Sequence, residues 1–144
     1  MEGEDIKVGF NWKLAAVSIP AGLAIGALTA LNVNLKIEQF IWLFFMMGIA
    51  GLQGWFLERG FFKNGFFTGL LTTLFAFVMH AFRLPVLLSY HPDVRKMVLE
   101  MGHPEQAVWI VFMLDLLKGL VYAVSQGVFN TVMGFGMEKL KNQQ

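Results

Sequence analysis

Cysteine is absent from the 144 residues, which removes disulfides, thiolate metal sites and thiol redox chemistry, and leaves the compartment unreadable from redox state. Charge is scarce as well: Asp, Glu, Lys and Arg make up 15% of the chain, against about 25% in an ordinary soluble domain. The formal net charge is +1, without the basic excess that a nucleic-acid partner would favour. The basic opening of a cleaved signal peptide is also missing, because MEGEDIKVGFNWK places its acids ahead of its first base; the first apolar run therefore reads as a retained span. No nucleophile-plus-base pattern, phosphate loop or metalloprotease motif occurs. No catalytic residue and no cofactor are expected.

What is present is apolar. Hydrophobic residues make up 56% of the chain and the mean hydropathy is +0.59, the composition of a membrane protein of one domain. A helix needs about 20 mostly apolar residues to cross a hydrocarbon core of roughly 30 Å. Stretches at about 14–35, 40–57, 66–88 and 115–137 meet that need, the last lying somewhere within Ala107 to Met137. The short polar breaks NVNLKIEQ and ERGFFKNG force antiparallel neighbours. The expected fold is all-α: an integral membrane up-down bundle of four transmembrane helices, with the lipid bilayer as its surroundings.

Trp12 and Trp55 fall at span ends on one side, Trp42 and Trp109 on the other, the headgroup levels that tryptophan prefers. Lys7, Lys13, Arg59, Lys63, Lys139 and Lys141 outnumber the bases on the opposite side, so the positive-inside rule puts both termini in the cytoplasm. The one long connection, between spans three and four, carries Val94, Met97, Val98 and Met101 at helical spacing, with Pro92 to start a helix and Gly102 and Pro104 to end it. A short amphipathic outer helix over about 92–101 is expected, with a solvated loop as the alternative.

Polar residues inside the spans are the candidate functional groups. At about 100° per residue, Asp115, Lys118, Tyr122, Ser125, Gln126 and Asn130 share one face of span four, opposite Leu117, Val121, Val124, Val128, Val132 and Phe135. In span three Gly69, Thr73, Ala76, His80 and Arg83 form a second stripe; span two offers Gln53, and span one Ser18 and Thr29 with a bend at Pro20. Such groups face protein or water rather than lipid. Counting back from Met137 at about 1.5 Å per residue puts Lys118 roughly 28 Å away, near the outer edge of the core. On that count Asp115, Lys118, Arg83, His80 and Glu38 form an outer cluster in which Arg83 can meet Asp115. A fourth span at Ala107 to Gln126 would instead put Asp115 and Lys118 near mid-membrane, as in a transporter. His80 suits an interhelical hydrogen bond or proton transfer. His91 and His103 with Asp93 or Glu105 fall short of the ligands a metal site wants, and no metal is expected. Gly22 with Gly26 and Gly65 with Gly69 have the spacing that lets helices approach closely, within the chain or between copies.

The segment RGFFKNGFFTGLLTTLFAFVMHAF, followed by the YHPD turn and the amphipathic stretch, resembles in its order of features an uncharacterised family of four-span bacterial inner-membrane proteins. The resemblance covers most of the chain. It implies an inner-membrane location and supplies no catalytic residues. Span number and length are also similar to the membrane enzymes that handle glutathione and eicosanoids, but the charged and amide residues expected in their second span are missing, so that activity is not carried over. The expected function is that of a non-enzymatic membrane module, associated with itself or with a partner protein. The alternative is a small channel or transporter for an ion or small polar solute, using the polar faces of spans three and four.

Overall fold

The computed structural model describes residues 10–31, 35–102 and 106–143, which form seven helices and no strand. They are α1 (Trp12–Ala15), α2 (Ser18–Ala30), α3 (Leu35–Phe56), α4 (Phe61–Phe82), α5 (Leu84–Tyr90), α6 (Pro92–Glu100) and α7 (Ala107–Lys141). Four stretches are long and apolar enough to cross a membrane: Trp12–Ala30, Lys36–Phe56, Phe61–Phe82 and Ala107–Lys141. The acidic opening of the chain with Lys7, and His103 and Pro104, lie outside the described residues.

Prolines and glycines set the breaks. Pro20 has no N–H to give Ala16 O, which instead takes the Ile19 N–H at 3.1 Å, and the first span divides there into α1 and α2. Gly60, at φ 71, turns the chain into α4 with a left-handed residue that a side chain would strain. The third helix thus begins at Phe61 rather than near 66. It ends at Phe82, where Pro85 opens the separate helix α5, so residues 84–88 do not extend the span. His91, extended before Pro92, opens α6 in the same way. The fourth apolar stretch starts at Ala107 and runs unbroken to Lys141, well outside the 115–137 limits.

Register gives the topology. Along α4 and α7, Phe61 meets Gly134, Gly65 meets Asn130, Gly69 meets Ala123 and His80 meets Asp115, so one number falls as the other rises and the helices are antiparallel. Between α3 and α7, Glu38 pairs with Lys118, Trp42 with Tyr122, Met46 O with Gln126 and Gly54 with Gly134; both numbers rise together, so these helices are parallel. The same holds for α2 and α4, through Gly22 with Thr72, Gly26 with Ala76 and Thr29 with His80. The four long helices therefore alternate in direction.

Gly22 and Gly26 pack on the α4 backbone, and Gly65 and Gly69 on α7, so both glycine pairs are occupied by contacts within the chain. At 35 residues α7 is about 52 Å long and outreaches α4, whose 22 residues span about 33 Å. One face of its first two turns packs against α5 and α6: Leu87 joins Ala30 and Val111 in one core cluster, with Val94 packed against it. Helix α6 turns Val94 and Val98 inward along one row, whereas Met97 and Met101, one position round, face outward. Outside, Leu117, Val121, Val124, Val128, Val132 and Phe135 of α7 are all exposed, as are Phe40 and Phe44 of α3.

Candidate functional site

Two polar groups lie inside this apolar shell. The first is at the end of the bundle beneath α5 and α6. His80, one turn before the break at Arg83, is 6% exposed and is held from two sides. Its Nδ1 lies 2.7 Å from Asp115 Oδ2, and its Nε2 lies 2.8 Å from Thr29 Oγ1. Thr29 sits in the last turn of α2, and its hydroxyl also reaches Ile25 O at 2.8 Å. Its carbonyl accepts from His91 Nε2 at 2.9 Å, which ties the α5–α6 junction to α2. Beside these, Lys118 Nζ donates to Glu38 Oε1 at 3.0 Å. The Glu38 side chain is 8% exposed and that of Lys118 is 47% exposed, so the lysine stem reaches outward while its ammonium neutralises a buried carboxylate. Thr29, Glu38, His80, His91, Asp115 and Lys118, with Leu87, Val94, Val111 and Leu114, line a half-open cavity of about 40 Å³. At 10–15 Å³ per molecule, that is room for about three waters.

The Thr29, His80 and Asp115 contacts have the connectivity of a nucleophile, a base and an orienting acid. Thr29 is 2% exposed inside a helix, and its hydroxyl is within hydrogen-bonding distance of the carbonyl one turn back. Among the described residues no group of three or more His, Cys, Asp or Glu side chains stands close enough to hold a metal ion.

The second group lies in the lower half of the bundle. Gln126 Nε2 donates to Met46 O at 3.0 Å and contacts the Asn130 amide at 2.9 Å; Asn130 bonds to Gln53, whose Nε2 donates to Thr68 Oγ1 at 2.8 Å. Gln53 and Asn130 are fully buried, and in lipid every such group must find its partner within the protein. Nearby, Asn64 accepts the Asn11 N–H at 2.8 Å and donates to Gly60 O at 3.1 Å, which fastens the chain before α1 to the start of α4.

The sequence-predicted residues therefore separate into different surroundings. Asp115 and His80 meet; Lys118 turns to Glu38; Tyr122 stacks on Trp42 with ring centroids 4.2 Å apart; Gln126 and Asn130 join the amide group. Ser125 bonds back to Val121 O, and Thr73 to Gly69 O while packing on Gly119. Arg83 does not pair with Asp115 and has no ion pair among the described residues. The reason is register: setting Asp115 opposite His80 leaves Arg83 about a turn further along, level with Phe112. Asn64 and Thr68 escape the sequence reading, although Asn64, Thr68, Thr72 and His80 lie on one row at steps of four with Ala76 between, which is a visible signal. Compared with known proteins, the chain matches no known family, no curated protein and no solved structure, so the functional reading stands on its own residues.

Proposed function

We propose that the chain is a multi-pass protein of the bacterial inner membrane, with its four long helices crossing the bilayer and both termini cytoplasmic, and that it is a non-enzymatic module docking to a membrane partner or to its own copies. The observation that carries this reading is how the polar groups of α7 are used. Asp115, Lys118, Gln126 and Asn130 are each satisfied by a neighbouring helix, so they hold the bundle in register instead of lining a continuous path. The outward side of α7 supports docking, since 22% of its most apolar stretch is buried against 33–44% in the other three spans.

With no native cysteine in the sequence, single cysteines report sidedness cleanly. Arg59→Cys and Lys139→Cys are expected to label only after cytoplasmic access is opened, and Arg95→Cys in intact cells. The same preparation, extracted into mild detergent, is expected to run as a complex larger than one 16.2 kDa chain. A lone chain at native expression would count decisively against the docking reading.

The second reading, a small transporter, is favoured by the ionisable lining of the 40 Å³ cavity. Proteoliposome flux of protons or small ions that disappears in Asp115→Asn would place it first. On the module reading, flux is expected to equal that of empty vesicles.

A further inference from the structure

The hydrogen bonds around His80 limit how its protons can be arranged. Thr29 has one hydroxyl proton, which it can give to Ile25 O. The contact between Thr29 Oγ1 and His80 Nε2 then needs a proton from the ring, and the contact between Nδ1 and Asp115 Oδ2 needs another. All three are met together when His80 and Asp115 carry two protons between them, as imidazolium with carboxylate or as imidazole with carboxylic acid. Either arrangement is neutral overall. Side-chain exposures of 8% and 12% favour that total, because a net buried charge is costly.

We propose that the His80 and Asp115 pair is a proton-binding site, loaded and unloaded through water in the cavity beneath α5 and α6. On release, one N–H or O–H bond of the pair breaks, its electrons stay behind, and the proton adds to a lone pair of a cavity water to give hydronium. One proton is left on the pair. The contact between Nδ1 and Oδ2 survives only with that proton on Nδ1, which turns Nε2 from donor into acceptor. Thr29 meets the change by rotating its hydroxyl from Ile25 O to Nε2. A threonine that can both accept and donate lets the ring change state without losing a hydrogen bond; valine, of the same shape, could not.

The other groups facing the pair define its access. From α3 comes Glu38, ion-paired with Lys118 of α7 for a total of zero; Tyr122 lies one turn further along α7, stacked on Trp42; α2 adds no charge. His91, half-buried at the α5–α6 junction, donates through Nε2 to Thr29 O and keeps Nδ1 as the ring atom able to pass a proton to the cavity. On its other side Asp115 lines, with Thr73, Phe77, Phe112 and Gly119, a second cavity of about 220 Å³ whose wall is almost wholly apolar. Asp115 apart, the ionisable lining belongs to the first cavity and not to the second, so protons load and unload through the first. This goes beyond the module reading and does not depend on whether a partner docks.

The test uses the full chain, labelled with ¹⁵N-histidine in lipid nanodiscs, with His80→Gln to assign the resonances. At low pH both His80 nitrogens are expected to be protonated or sharing a proton. On raising the pH the ring should lose one proton and finish with hydrogen on Nδ1 alone. Potentiometry should show one proton more released per chain than in the double variant His80→Gln, Asp115→Asn. In Thr29→Val the Nδ1–H end state should no longer be the single form, whereas Thr29→Ser should restore it. A ring with hydrogen only on Nε2 at every pH would overturn the proposal. So would a pair that keeps both protons until the chain unfolds, because it would then be a structural contact alone.

Discussion

Gly22→Val is expected to lower the melting temperature in detergent by about 5–10 °C, from an overpacking cost of up to about 3 kcal/mol. A Cβ at this position would lie 2.3 Å from Thr72 O and 2.6 Å from Phe75 Cβ. Backbone oxygen cannot swing aside as a side chain can, so α2 and α4 would have to separate. That separation would loosen the contact between Thr29 and His80 two turns further along. Gly26→Val should act alike, with Ala76 O at 2.5 Å. The control is Gly48→Ala: nothing stands within 4 Å of a Cβ there, and alanine gains up to about 1 kcal/mol of helix propensity, so the melting temperature should hold or rise slightly. Equal losses at Gly22 and Gly48 would show that general helix perturbation, and not close approach, sets the effect.

The second large effect is expected at Asp115. Replacing it by leucine removes one member of a buried pair and leaves His80 Nδ1 facing an apolar side chain, a loss of about 3–5 kcal/mol. Asparagine keeps an oxygen in the same place and should cost markedly less. Arg83→Gln, in contrast, should fall within about 0.5 kcal/mol of the parent, since Arg83 is half-exposed and pairs with no acid among the described residues. Thermal melting of the three variants in one detergent decides the matter, and a larger loss at Arg83 than at Asp115 would contradict the observed pairing.

These contrasts show where the sequence is informative. Four apolar helices are legible from run length and spacing, because a helix able to cross lipid satisfies its own backbone and needs a continuous apolar stretch. The outward face of α7 is legible for the same reason: Leu117, Val121, Val124, Val128, Val132 and Phe135 recur at helical intervals. Partners across helices are a different matter. Whether Asp115 meets Arg83 or His80 depends on sliding α7 along α4 by about one turn, and nothing within either helix sets that slide. It is set by close contacts between helices, such as Gly65 on the Gln126 and Asn130 turn and Gly119 on Thr73. The break at Arg83 was open to view in Pro85, whose missing N–H makes one unbroken helix through residue 88 unfavourable.

Helix α7 joins the two ends of the molecule. It carries no proline between Ala107 and Lys141 and stays helical throughout. Near one end Lys141 grips Trp55 O at 2.5 Å and lies over the Trp55 ring; near the other Asp115 and Lys118 hold their partners. Since Asp115 and Lys118 lie one turn apart on α7, with partners on α4 and α3, any shift of α7 at that end acts on both contacts together.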